Sequence, residues 1–168
     1  MVTVTGVADT PTVTVAAATG NEDTAIPLNI TAALTDTTGE TLTSITISDV
    51  PSGATLSAGT NNGNGTWTLT PAQLQGLTIT PPANSDADFN LTVSATSSEG
   101  GTSATTTSTF SVTVNAVADN PTVTVTNVTG NEDSAIPLNI ATAVTDASES
   151  ITNVTISGVP NGATLSAG

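Results

Sequence analysis

The chain has 168 residues, 14 of them Asp or Glu, with no Lys, Arg, His or Cys and a formal net charge of -14. Nothing in it can neutralise a phosphate, which excludes nucleic-acid binding and argues against docking on anionic lipid. The same absences remove imidazole bases, thiolates, Schiff-base amines and disulfides, disfavour zinc, copper and iron–sulfur centres, and leave no enzyme chemistry in view.

The elements follow in chain order. Thr12-Val13-Thr14-Val15 and Leu42-Thr43-Ser44-Ile45-Thr46-Ile47 alternate apolar and hydroxyl side chains, the period of a half-buried strand. Pro51-Ser52-Gly53 is a turn, and Asn61-Asn62-Gly63-Asn64-Gly65 carries two Asn-Gly pairs, a hairpin signal. Trp67-Thr68-Leu69 is the next strand, Pro71-Ala72-Gln73-Leu74-Gln75 a turn of helix, and Leu77-Thr78-Ile79 a further strand. Phe89-Asn90-Leu91-Thr92-Val93 and Phe110-Ser111-Val112-Thr113-Val114 alternate again, with Glu99-Gly100-Gly101 turning between them. About seven strands in about 110 residues predicts an all-β Greek-key β-sandwich. Trp67 and Phe110 belong to its core, and the threonine rows to its solvent face. No apolar run is long enough to span a membrane, so no direct membrane insertion is expected.

The chain repeats itself. Val7-Ala8-Asp9-Thr10-Pro11 returns as Val117-Ala118-Asp119-Asn120-Pro121, and Gly20-Asn21-Glu22-Asp23 as Gly130-Asn131-Glu132-Asp133. Asp9 and Asp119 stand 110 positions apart; after Asp36 and Asp146 the offset falls to 109, as between Pro51 and Pro160. A period this long is a domain and not a solenoid coil. Ig-like sandwiches in tandem are therefore expected. Residues 1–8 form the last strand of a preceding repeat, 9–118 a complete repeat, and 119–168 the first part of the next. Both ends fall inside repeats, so the sequence reads as a window on a longer array.

The carboxylates gather at turns and strand ends: Asp9, Glu22, Asp23, Asp36, Glu40, Asp86, Asp88, Glu99 and Asp119. With this pattern the chain resembles the bacterial cadherin-like repeats of giant calcium-dependent adhesins of the RTX kind. Glu22, in Asn-Glu-Asp-Thr-Ala-Ile-Pro, is similar to the early glutamate that serves the junction with the next repeat. Asp86-Ala87-Asp88 resembles the Asp-Arg-Glu motif, Ala118-Asp119-Asn120-Pro121 the end of the linker motif, and Asp146 the first aspartate of Asp-X-Asp. The linker lacks the family's earlier aspartate, and Ser148 stands where a second aspartate belongs. The resemblance implies calcium at the junction, held by Glu22, Asp86, Asp88, Asp119, Asn120 and Asp146. Calcium takes 6–8 oxygens from carboxylates and carbonyls, which suits that set. Asp49 and Glu99 are expected to be plain surface charge.

The function implied is a structural extender of a secreted or cell-surface adhesin or fibre, partnered by calcium ions and neighbouring repeats. The alternative is an Ig-like module that binds a glycan or protein, with Trp67 as its one stacking residue. One consequence needs no structure. With no Lys or Arg, the chain has no trypsin site, so pure trypsin should leave it intact even in urea, as mass spectrometry would record.

Overall fold

The chain is all-β, and the computed structural model describes residues 1–167. It divides into two compact units, Met1–Val117 and Ala118–Gly168. None of its described helices is long and apolar enough to cross a membrane.

The first unit holds eleven strands rather than about seven: β1 (Thr12–Val15), β2 (Ala18–Asn21), β3 (Ile26–Pro27), β4 (Ile30–Ala33), β5 (Thr41–Ser48), β6 (Thr55–Leu56), β7 (Thr60–Gly63), β8 (Thr66–Leu69), β9 (Thr78–Thr80), β10 (Phe89–Glu99) and β11 (Thr102–Asn115). The surplus comes from short pieces such as β3 and β6, of two residues each. Pro27 lies at the edge of its sheet, where a missing N–H is tolerated. The helical turn expected after β8 is a 3-10 turn, Pro71–Leu74.

Six strands form one sheet in the order β2-β11-β10-β5-β8-β7, three form another in the order β3-β9-β6, and β1 pairs with β4. All but β7, which is exposed along its length, feed one apolar core. Ile45, Ile47, Leu91, Val93, Ala95 and Val112 come from the large sheet, and Ile26, Leu56 and Ile79 from the small one. Trp67 and Phe110 are buried there, as alternation predicts. Two hairpins turn on consecutive positive-φ residues, Asn64-Gly65 and Gly100-Gly101, which match the twist of the strands they join. β10 and β11 run well beyond their apolar residues, because threonines bond across them: Thr92 with Thr109 at 3.1 Å and Thr96 with Thr105 at 2.9 Å.

β2 lies parallel to β11, with Ala18 opposite Val112 and Asn21 opposite Asn115. Upstream, Thr106 donates its hydroxyl to the Pro11 carbonyl at 2.5 Å. The chain thus follows β11 from Pro11 beside Thr106 to Asn21 beside Asn115. It enters the first unit at one end of β11 and leaves at the other, roughly 30 Å further on at about 3.3 Å per residue.

The second unit repeats the opening hairpin, β12 (Thr122–Thr126) with β13 (Asn139–Ala143). Thr122 opposes Ala143 just as Thr12 opposes Ala33. Its apolar residues nevertheless stay in solvent: Ile26 is 0% exposed, while its counterpart Ile136 is 42% exposed. In the first unit that role of cover falls to the residues from Trp67 to Val114, which have no counterpart in the second.

This difference sets a test within one chain. Trp67 is the sole tryptophan and reports on the first unit alone. Ile26→Ala should lower the stability read from its fluorescence in denaturant by about 2–5 kcal/mol, the cost of emptying a buried site. Ile136→Ala should move it by less than about 0.5 kcal/mol.

Candidate cation-binding carboxylates

Two glutamates of the first unit are buried, Glu22 at 2% exposure and Glu40 at 5%. Glu22 follows β2. Its own N–H donates to the Asn115 carbonyl at 3.0 Å, and its Oε1 accepts the N–H of Val117 at 2.7 Å. Glu40 precedes β5, and its Oε1 accepts the N–H of Asp9 at 2.5 Å. Each therefore grips backbone at one end of the unit, Glu40 where the chain enters and Glu22 where it leaves. In both, Oε2 is buried and has no hydrogen-bond partner.

The inward turn of Glu40 has a local cause. On β5, Ser44 opposes Thr96 but Leu42 opposes Ser97, so Thr43 is an extra residue in the ladder. Such a bulge reverses the alternation on its far side. Ile45 and Ile47 are buried at odd positions, and beyond the bulge it is the even position, Glu40, that is buried. Thr43 closes the irregularity by donating its hydroxyl to the Thr96 carbonyl at 3.0 Å.

The expected site residues fall into two sets, one in each unit. In the first, Asp88 Oδ1 accepts the N–H of Val114 at 2.8 Å. Asp88 and Glu22 thus both bind N–H groups where β11 ends. Asp86 is half-buried two residues before Asp88, and Asp23 accepts the N–H of Asn84 at 2.9 Å. In the second unit, Asp119 Oδ2 accepts the Thr145 hydroxyl at 3.1 Å. Asp146 is buried, with Oδ1 on the Ser148 N–H and Oδ2 on the Ser148 hydroxyl, both at 2.8 Å. Ser148, where a second aspartate was expected, thus satisfies the first one. Asn120 is exposed. Among the described residues no three carboxylates converge closely enough to hold an ion as they stand.

Sequence reasoning does not single out Glu149, and it gives no inward role to Glu40 or Glu99. Glu149 Oε1 accepts the N–H of Asp119 at 2.6 Å, the bond that Glu40 makes to Asp9. The offset of 109 pairs the two glutamates and was the available signal. Glu40 was seen only as one of the acids at turns, because the bulge that buries it leaves no mark in composition. Glu99 corrects an expectation of plain surface charge: it is half-buried, with its carboxylate against Gly6 and Gly39. Trp67, at 9% exposure, has no free face for stacking.

No family model, characterised protein or solved structure matches the chain.

The Asp88 bond gives a test free of any metal. Asp88→Ala strands the N–H of buried Val114, so in chelator it should lower stability by about 1–3 kcal/mol. Asp86→Ala, measured in the same denaturant series, should change it by less than about 0.5 kcal/mol.

Proposed function

We propose that the chain is a structural extender segment of a secreted or cell-surface adhesin or fibre, in which calcium at the junctions between repeats sets the stiffness of the stalk. The observation that carries this reading is Glu22: a carboxylate buried at the exit of the repeat, bonded through one oxygen to Val117 and unpartnered at the other. A buried anionic oxygen with no partner is costly. In a chain with no basic side chain, a metal ion is the natural counter-charge. Asp88 at the same end, and Asp86 close by in sequence, supply the further hard oxygens that calcium prefers.

Three further facts support the reading. The first unit takes the chain in at one end of β11 and releases it at the other, which is the path an extender needs. The repeat recurs with the same β-hairpin register in both units. The acidic motifs resemble, in the same order, those of cadherin-like adhesin repeats. Asp119, with Asn120 beside it and Asp146 beyond, supplies the second repeat's share of the ligands. Asp146 joins by exchanging its bonds to Ser148 for the ion. The competing reading, a glycan- or protein-binding module, has less support because its one candidate stacking residue, Trp67, lies in the core.

The test uses a chain extended to two complete repeats. Small-angle scattering should give a longer rod with a narrower distribution in calcium than in chelator. Calcium one hundredfold above its Kd should add about 2.7 kcal/mol of stability, seen as a rise in Tm. Asp119→Ala should remove most of both effects. Identical scattering and melting in calcium and chelator would overturn the calcium reading.

A further inference from the structure

We propose that the first unit holds a second hard-cation site, for calcium, at its entry end, with Glu40 and Glu99 as its carboxylates. It shares the cation with the junction reading but none of its ligands, so either can fail alone.

Two independent observations meet here. The first is Glu40, 95% buried by its exposure of 5%, with Oε1 on the Asp9 N–H and Oε2 enclosed and unpartnered. The second is the seat of Glu99. A Cβ placed on Gly6 would overlap the Glu99 carboxylate, and one on Gly39 would come within 2.7 Å of its Oε1. Glu99 therefore rests against two residues far apart in sequence that are both glycine, and a side chain at either would displace its carboxylate. Gly39 also has φ +81, a conformation other residues adopt at a cost. Gly6 is three residues before Asp9, whose N–H Glu40 holds, and Gly39 is the residue before Glu40. The two carboxylates thus occupy the seam between the same two backbone segments, Gly6–Asp9 and Gly39–Glu40.

The surroundings hold that seam rigid. Ser97, fully buried, donates its hydroxyl to the Asp9 carbonyl at 2.5 Å. Thr102 accepts the Ala8 N–H and donates to the Glu99 carbonyl, both at 2.7 Å. Two carboxylates on the same pair of backbone segments, with no basic side chain in the chain to balance them, favour a cation between them. Two carboxylates, completed by backbone carbonyls and water, make a weak oxygen site of the kind found in extracellular modules, with Kd on the order of 10⁻⁴–10⁻³ M. Its effect is to lock the entering segment onto the repeat, complementing the grip of Glu22 at the exit.

Calcium titration of the full chain by calorimetry, with Tm measured at each calcium level, tests this on Glu40→Gln, Glu99→Gln and Asp119→Ala. Each glutamine keeps the shape of the side chain and removes the charge. Both glutamine variants should bind at least tenfold more weakly at one site and lose the part of the Tm rise that follows it, while Asp119→Ala keeps that site. Glu99, only half-buried, decides the matter if Glu40→Gln fails to fold. Isotherms unchanged in the glutamine variants overturn the proposal, whatever Asp119→Ala does. Loss in the glutamine variants with no change in Asp119→Ala upholds this site, and the junction is judged separately on the two-repeat chain. A chain that binds no calcium at all overturns this site.

Discussion

Every charged side chain in this molecule is negative, and that constraint governs how its carboxylates are used. In most proteins a buried Glu finds an Arg or Lys. Here none exists, so the partners are backbone N–H groups, hydroxyls and, on our reading, cations. The backbone partners are chosen with some economy. Glu40 takes the N–H of Asp9, Glu22 that of Val117, Asp88 that of Val114 and Glu149 that of Asp119. All of these are donors at the entry or exit of a unit, where the sheet ladders stop supplying acceptors. One oxygen of each buried glutamate in the first unit thereby orders backbone at an end of the unit, and the other is buried without a hydrogen-bond partner. Where a local hydroxyl is available, as Ser148 is to Asp146, the carboxylate is satisfied without help.

The sequence made the fold class legible because alternation survives in the strands that line the core. Val93 and Val112, Ile45 and Ile47 sit where period-2 counting puts them, and the Asn64-Gly65 and Gly100-Gly101 turns lie where turn chemistry predicts. The strand count was less legible. Ser94 to Ser98 and Thr102 to Ser108 carry little apolar signal, yet they pair because the hairpin register from Glu99–Thr102 onward commits them. The candidate site was legible only in part. Glu22 and Asp88 are named by motifs, and each binds a backbone N–H near the end of β11. Glu40 was hidden by the bulge at Thr43, since one inserted residue exchanges the inner and outer faces of a strand. Glu99 was hidden because its cradle joins Gly6 to Gly39, a contact that no local pattern encodes.

The same reasoning explains why the second unit looks unlike the first despite its sequence. Its opening hairpin has the same register, residue for residue, so local pairing does not need the rest of the sandwich. Burial does. Val123, Val125, Ile136, Leu138 and Ile140 are all exposed, although their counterparts Ile26, Leu28 and Ile30 are core residues and Val13 and Val15 pack against that core. Register is thus a property of the hairpin, whereas the core is a property of the whole repeat.

The parallel contact between β2 and β11 carries a mechanical consequence for an extender. A pull along the array draws the entering segment back toward Pro11 and the exiting segment onward past Asn115. Those directions are opposite and lie along two strands that run side by side. The load is therefore shear, shared by all the ladder bonds from Ala18 to Asn21 at once, and not peeling, which would break them singly. The Thr106 hydroxyl on Pro11 and the Ser97 hydroxyl on Asp9 extend the same seam toward the entry. Glu40 and Glu22 close its two ends. On the proposed reading, a cation bound to either glutamate would resist slippage where the seam would begin to open, so cation and sheet ladder would act on the same coordinate: the sliding of the first strands of the repeat past its last.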